Sequence, residues 1–451
     1  MLEKILKSNQ IKKAKEDLFK WGKDWTDVVP NPSVVVFPEN EKQIIDLVKY
    51  AALDDKKIVP SGGRTGLSGG ATAVNGEIVL SLDKMNKILE FNYSDKLVKC
   101  QSGVITKDLQ DYAEKEGLYY PVDFSSSSSS QIGGNVATNA GGIRVIRYGL
   151  TRNWVSGIRI VDGLGQLMSF NEGLIKNASG YDFRHLLIGS EGTLGIITEV
   201  DIRLTNKPLQ QSVLLLGINQ PSNLVKALEV FSDGIDLSAF EFFSQVCLEK
   251  VRLKNKIVEP FAKDYPFYAL TEFDNVDMDK IERAFAICIE KEIIEDGIIS
   301  KSQKQANQLW KLRENISESI ASFGPYKNDV SIKISLIPLF LEEIINIIKS
   351  INSKLEVCLF GHIGDGNIHI NLLRPEDCTD QNFKKLTNEI SNEIYKNISI
   401  SKGSVSAEHG IGYIKKEFLD FSRSKEEIQI MKSIKNIFDP HQILNPGKIF
   451  N

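Results

Sequence analysis

The spacing of apolar residues divides this chain into stretches with different preferences. Val34-Val35-Val36-Phe37 is a continuous apolar run of buried-strand length, closed by Pro38. Asn40-Glu41-Lys42-Gln43 has the form of a capping box, and Ile44, Ile45, Leu47, Val48 and Ala51 recur behind it at helical spacing. Ile58-Val59 leads into a loop, and strands are expected over 78–82, 88–91 and 97–100, followed by a helix over 107–115 that Gly117 stops. Residues 158–161 and 166–170 flank Asp162-Gly163-Leu164-Gly165 as a hairpin. Residues 1–29 read as a helical, Lys-rich lead-in ending near Trp21 and Trp25.

The pattern changes at 205–211. Beyond it, strand-like pieces (213–217, 267–273) alternate with helical ones (223–231, 278–290), as in an antiparallel α+β domain. A helix carrying Trp310, Arg313 and Ser317 follows, then a strand over 329–335. Strands over 357–360 and 368–372 flank the turn Gly364-Asp365-Gly366-Asn367, and Ile428, Met431, Ile434 and Phe438 mark an amphipathic helix near the end. The expected fold is α+β, divided into a lead-in (1–29), a glycine-rich domain (30–207), an antiparallel domain (208–400) and a C-terminal segment (401–451).

Composition removes several classes of function. A net charge of −4 over 451 residues gives no electrostatic case for nucleic acid. The five cysteines are scattered, with no Cys-x-x-Cys, which argues against a disulfide framework, an iron–sulfur cluster or a zinc ribbon. The N-terminus lacks an apolar core of signal-peptide length, and no run approaches a membrane span; the chain reads as cytoplasmic.

Chemistry enters with glycine. Pro60–Gly70 holds five glycines in eleven residues, a density that lets successive N–H groups line a concave surface suited to phosphate, with Arg64 adding a permanent charge. It is neither a Walker loop nor the Rossmann Gly-x-Gly-x-x-Gly. A second segment, Gln131–Gly142, and a third, Gly189–Thr198, imply a long ligand lying against backbone. The serine run 125–130 between them reads equally as a flexible linker or an ordered loop.

Only five histidines are present. His362 and His369 flank the Gly364–Asn367 turn and can meet across a hairpin; Glu408-His409 lies in Ser404-Val405-Ser406-Ala407-Glu408-His409-Gly410. Two histidines and a carboxylate suit a catalytic metal, although spacing alone also allows a structural pair. His185 and His441 lack such context.

With Pro60–Gly70, 132–142, Gly189–Thr198, 361–371, 407–410 and 444–447 in view, the chain resembles the FAD-linked oxidases of the vanillyl-alcohol oxidase/p-cresol methylhydroxylase superfamily, in the 2-hydroxyacid dehydrogenase branch. The resemblance implies a two-part FAD-binding domain, an antiparallel α+β substrate domain and a C-terminal segment that completes the active site. It implies that Ser61, Gly62, Gly63, Arg64, Thr65 and Gly66 cradle the FAD pyrophosphate, and that Gly133, Gly134 and Asn139 line the flavin. Gly195 and Ile197 would contact the adenine end, with Asn445 completing the set. It also implies Zn²⁺ or Mn²⁺ on His362, His369 and Glu408, with His409 as general base and Asn371 near the substrate. Family members usually carry Pro-Asp-Pro before the second segment; here Pro121-Val122-Asp123-Phe124 stands there. Some attach flavin through a histidine in the phosphate loop, and this loop has none, so non-covalent FAD is expected.

The substrate is expected to be a 2-hydroxyacid. Arg313 and Ser317, four apart on a helix, and Lys327 beyond a glycine–proline break can bind a carboxylate. These three positions resemble the substrate set of D-2-hydroxyglutarate dehydrogenases, with Ser317 where threonine is usual and Lys333 where proline is usual. D-lactate dehydrogenase or a glycolate oxidase FAD subunit is the alternative. A flavin-free metallohydrolase and a non-catalytic oxidase subunit are the readings from other classes; the first leaves the glycine segments unexplained. An electron acceptor such as electron-transfer flavoprotein or quinone is expected, and a homodimer is possible.

Overall fold

The structure, a computed structural model, describes residues 2–255, 257 and 260–450. It separates into two units. The first comprises Met1–Gly142, Gly149–Lys207 and Glu408–Asn451, and the second Ile143–Tyr148 and Pro208–Ala407. The glycine-rich domain thus lends six residues to the second unit, and the C-terminal segment joins the first unit from Glu408 rather than from 401.

The first unit holds two sheets. In the four-stranded one the order is Ile11–Lys12, Val34–Val36, Ile78–Ser81, Ile58–Ser61. The last three strands run parallel, with Val34 and Ile58 both opposite Ile78. Parallel strands are covered on both faces, which is why Val34–Val36 and Ile78–Ser81 are buried at every position and read as unbroken runs. Helix Glu41–Leu53 packs with this sheet through Ile44, Leu47, Val48 and Ala51. Its cap is half of the expected box. Asn40 accepts from the Gln43 N–H, but the Gln43 side chain reaches back to the N–H of Glu39 instead of Asn40.

The lead-in is not simply helical. Only Lys15–Trp21 forms an α-helix, whereas Ile11–Lys12 pairs antiparallel with Val35 and Val36. Buried Gln10 anchors that pairing by donating to the Phe37 carbonyl at 2.8 Å, a tertiary bond that helical periodicity does not register.

The second sheet of this unit has five strands in the order Ile88–Asn92, Leu97–Gln101, Ile196–Arg203, Val155–Val161, Leu167–Phe170, all antiparallel. The predicted hairpin is present, with Asp162 Oδ1 accepting from the N–H groups of Leu164 and Gln166. The serine run is a hydrogen-bonded loop rather than a free linker. Ser130 N–H donates to Ser126 O, and the Ser127 and Ser130 carbonyls accept from Lys107 and Thr106 at the start of helix Thr106–Lys115.

The second unit is built on a seven-stranded antiparallel sheet ordered Asp296–Ile299, Gln211–Ile218, Phe267–Asp274, Leu237–Ser244, Val357–His362, Asn367–Leu372, Tyr326–Ser331. Its register puts Val213, Leu215, Leu270, Tyr268, Phe243, Phe360 and Cys358 on one face, where they form a core with helices Gln245–Lys254, Gln303–Glu314 and Ile316–Ile320. The strand expected over 329–335 starts earlier and ends earlier, at Tyr326–Ser331. Ile332 N–H is taken by Gly366 O, a 3-10 turn follows at Ile334–Leu336, and Pro338 lies in the first turn of helix Ile337–Ile351.

Candidate active site

In the first unit the glycine segments converge on an open cleft. Ser61, Gly62, Gly63, Arg64, Thr65, Gly66, Gly133, Gly134, Gly195 and Ile197 line it, and so does His409. Close packing of backbone explains the glycines: a Cβ on Gly63 would lie 2.2 Å from the Ser129 carbonyl oxygen. The residues fit a large polar ligand. The buried Ser61 hydroxyl and the Gln131 carboxamide oxygen have no hydrogen-bond partner among the described residues, and a Cβ on Gly134 would meet nothing within 4 Å.

Three expected cofactor residues behave differently. Arg64 lines the cleft with a left-handed backbone (φ +60°), but its guanidinium donates to Gly62 O at 2.8 Å and pairs with Asp83 at 3.3 Å. Its charge therefore serves the loop's own shape. Asn139 lies outside the lining. It ends helix Ile132–Thr138 in the left-handed region, and its Oδ1 accepts from Arg152 N–H at 3.1 Å. Asn445 also stands back from the cleft and ties two glycine segments together, donating to Gly70 O at 2.9 Å and Glu191 O at 2.7 Å.

Two acidic residues without a sequence signal brace this wall. Asp83 accepts from Gln131 Nε2 at 2.8 Å and Trp21 Nε1 at 3.1 Å as well as from Arg64, joining the first loop to the second segment. Glu191 accepts from the N–H groups of Ile411 (2.8 Å) and Gly412 (2.7 Å), and burial raises its pKa. That carboxylate grips the turn that follows His409. Gly410 and Gly412, both at positive φ, allow the approach; a Cβ on Gly410 would sit 2.9 Å from Glu191 Cδ. Glu408, next to His409, accepts from Gly142 N–H at 3.1 Å.

In the second unit the predicted polar residues fall on one face of the sheet. Glu241 lies opposite His362, His362 opposite Asn367, His369 opposite Asp329, and Asn371 opposite Lys327. The two imidazoles meet with their Nε2 atoms 3.5 Å apart. Each turns its Nδ1 toward a fully buried carboxylate: His362 to Glu241 at 2.6 Å, His369 toward Asp329 at 3.5 Å. A carboxylate accepts, so the Nδ1 of His362 carries the proton and its Nε2 presents a lone pair toward His369. Carboxylate-backed imidazoles with converging lone pairs suit a divalent ion.

Arg313 and Ser317 are not equivalent. Arg313 ends helix Gln303–Glu314 and is buried, stacked over Phe360 at 4.7 Å. Ser317 belongs to the next helix, Ile316–Ile320, and is exposed, because Asn315 separates the two helices. Arg313 pairs with Glu241 at 2.9 Å, off the line of a good hydrogen bond, and keeps a buried Nε–H without an acceptor among the described residues. Lys327 is exposed, while desolvation around its amine lowers its pKa. Lys333 precedes the 3-10 turn Ile334–Leu336. Glu241 carried no signal in the sequence, lying 72 positions before Arg313 and 121 before His362.

Solved structures define the class of fold. The chain superposes on p-cresol methylhydroxylase with a TM-score of 0.78 at 14% identity, covering 99% of this chain and 95% of that one. Alkyldihydroxyacetonephosphate synthase gives 0.75 at 17%, covering 99% and 84%. This is the fold of the vanillyl-alcohol oxidase/p-cresol methylhydroxylase superfamily. Residues 32–171 match the family described as FAD binding domain, and residues 207–449 match FAD linked oxidases, C-terminal domain. Among curated proteins the chain is 47% identical to D-2-hydroxyglutarate dehydrogenase of Stutzerimonas stutzeri (strain A1501), over 100% of this chain and 98% of that protein. It is 34% identical to the mitochondrial D-2-hydroxyglutarate dehydrogenase of Bos taurus, over 94% and 78%.

The chain belongs to the FAD-linked oxidases; it binds FAD and is an oxidoreductase acting on a CH–OH group of a small molecule. Among the described residues no helix is long and apolar enough to cross a membrane.

Proposed function

We propose that this chain oxidises a D-2-hydroxyglutarate-like dicarboxylate to the 2-oxoacid, using non-covalently held FAD and a divalent metal. The observation that carries the reading is the composition of the first unit's cleft, where a histidine, His409, shares a wall with three glycine segments. A base beside a flavin cradle suits abstraction of a hydroxyl proton coupled to loss of a hydride from the same carbon.

Bound in that cleft, FAD supplies the hydride acceptor, N5 of its ring. His409 takes the proton of the substrate's 2-hydroxyl, and the turn held by Glu191 keeps its imidazole in place. His362, His369 and Glu408 are the residues that would hold Zn²⁺ or Mn²⁺, a Lewis acid that lowers the pKa of that hydroxyl. Asn371 lies in the same register as these histidines and can hydrogen-bond the C1 carboxylate. Arg313, Ser317 and Lys327 bind the second carboxylate, with Arg313 contributing the charge that a short monocarboxylate leaves unused. The dicarboxylate assignment also draws on the names of the similar bacterial and mitochondrial enzymes. Electrons then pass to an acceptor such as electron-transfer flavoprotein or quinone.

Anaerobic mixing with D- and L-2-hydroxyglutarate, D-lactate and glycolate tests the assignment. D-2-hydroxyglutarate should bleach the flavin, with kcat/KM about 10²-fold above D-lactate, the value of a charge-assisted contact of a few kcal/mol. Equal or faster reduction by D-lactate overturns the dicarboxylate. Flavin that stays with the acid-denatured chain overturns non-covalent binding.

A further inference from the structure

Glu241 lies in the middle of the second unit's sheet, wholly removed from solvent. Its two oxygens have different partners. Oε1 faces Nδ1 of His362 at 2.6 Å, and Oε2 faces the Arg313 guanidinium at 2.9 Å. Glu272, a second buried carboxylate of this sheet, offers a contrast. It accepts from Arg144 at 2.8 Å, Trp310 at 3.0 Å, Ser238 at 2.9 Å and Gln211 at 3.4 Å, which is the full set of donors expected of a structural pin. Glu241 has no such set; among the described residues its side chain meets one imidazole and one guanidinium.

We infer that Glu241 is a positioning residue that sets two groups of the site together: the His362 nitrogen turned to metal and the Arg313 guanidinium turned to the substrate's second carboxylate. The inference rests on the proposed function. One oxygen holds the proton of His362 on Nδ1 and so leaves Nε2 as the metal-facing lone pair. The other holds Arg313 from one side while Phe360 lies beneath its plane at 4.7 Å, so the guanidinium has one orientation in which to meet an anion. Metal affinity and dicarboxylate preference should therefore change together when this one side chain is altered, although neither ligand is expected to touch it.

The substitution E241Q keeps the shape and loses one acceptor. Whichever way its amide turns, an N–H₂ faces either Arg313, donor against donor, or His362 Nδ1, where it favours the tautomer that carries the proton on Nε2. Two readouts separate positioning from packing: Zn²⁺ affinity of the resting flavoprotein by competition with a chromophoric chelator, and the kcat/KM ratio of D-2-hydroxyglutarate to D-lactate. E241Q should weaken Zn²⁺ binding by about 10–100-fold, the usual consequence of losing such a backing group, and lower the ratio by about tenfold. In an R313A background the same change should leave the ratio where R313A put it. Because E241Q leaves a buried charge unpaired, E241M/R313M serves as the variant with none, and it too should lose Zn²⁺ by tenfold or more. Zn²⁺ affinity within twofold of the unmutated protein in both variants, with an unchanged substrate ratio in E241Q, overturns the inference and leaves Glu241 a packing residue. Failure of the underlying reading shows elsewhere, in an unmutated protein that binds no Zn²⁺ or shows no dicarboxylate preference. If one of those properties is missing, the other still decides Glu241.

Discussion

In the first unit the candidate ligand wall is made mostly of backbone and small side chains, and in the second it is made of charged side chains on one face of a sheet. The cleft of Ser61–Gly66, Gly133 and Gly134 has its shape because Cβ atoms are missing, and the acids beside it, half-buried Asp83 and buried Glu191, accept hydrogen bonds to hold loops still. The Glu241–Arg313–His362–His369–Asp329 face has its shape because charges are paired where the side chains are buried. The first arrangement suits a large cofactor that stays bound and is recognised along its length. The second suits a small substrate whose charge must be sensed and whose proton must move. The two should fail differently when damaged.

The largest difference is expected from removing chemistry without removing the cofactor. Chelation, H362A or H369A should abolish turnover, and H409A should lower it by about 10²–10⁴-fold, while the protein stays yellow in each case. Turnover together with flavin content checks this. Full activity in metal-free enzyme would remove the metal from the account, and loss of flavin in H362A would break the separation between the two walls.

Next in size is the buried ion pair. R313A leaves Glu241 as an uncompensated charge at a fully buried position, which should cost about 3–5 kcal/mol of the second unit's stability as well as the dicarboxylate preference. Urea unfolding followed by far-UV dichroism and by flavin fluorescence should show the first signal moving to lower denaturant. An unfolding free energy within about 0.5 kcal/mol of the unmutated protein's would mean that solvent reaches Glu241.

This contrast also explains what could be read in the sequence. Backbone sites announce themselves, since glycine density at Pro60–Gly70 and Gln131–Gly142 is local and has few other causes. The His362–His369 pair was equally legible because a hairpin turn brings them together. Glu241, Asp83 and Glu191 were not, because each gains its role from a partner 48 to 220 positions away, and an isolated acid in a strand or loop looks like any other. Arg64 and Asn139 show the converse. They sit inside legible motifs, yet Arg64 turns to Asp83 and Asn139 caps a helix, roles fixed by packing rather than by motif. The start of the Tyr326–Ser331 strand and the pairing of Ile11–Lys12 were missed for the same reason: tertiary hydrogen bonds set them.

The first unit has a buried charge of its own, and it tests whether burial there is as costly as in the second. Lys448 is 1% exposed and donates to the Thr72 carbonyl at 2.8 Å, and burial holds its pKa down at about 8, with Glu77 and Asp24 opposing the shift. A base whose folded pKa is depressed binds fewer protons folded than unfolded between about pH 8 and its ordinary value of about 10.5, so stability rises with pH across that window. Below pH 8 the cost is complete and constant. The stability gap between the unmutated protein and K448M should therefore move in favour of the unmutated protein by about 3 kcal/mol as pH rises through the window. A pH-independent gap would show Lys448 to be solvated.

The smallest effect gives the finest test of a wall built from missing side chains, because two adjacent glycines should respond with opposite signs. A Cβ on Gly133 would lie 2.4 Å from the Ser102 Cβ, so G133A must displace the backbone and should destabilise the protein by about 1–3 kcal/mol. Gly134 sits in the same helix, Ile132–Thr138, with nothing within 4 Å of its added Cβ, and it lines the cleft. Replacing a helical glycine by alanine removes backbone entropy from the unfolded chain, so G134A should stabilise the flavin-free protein by about 0.5–1 kcal/mol. The same methyl group projects into space the cofactor needs, so FAD should dissociate more readily. Thermal unfolding of the flavin-free and flavin-bound forms separates the two effects: G134A should raise the first midpoint and narrow the gap to the second, and G133A should lower both. If G134A widened that gap, the cofactor would not lie against this turn of helix, and the second glycine segment would have to be read as packing alone.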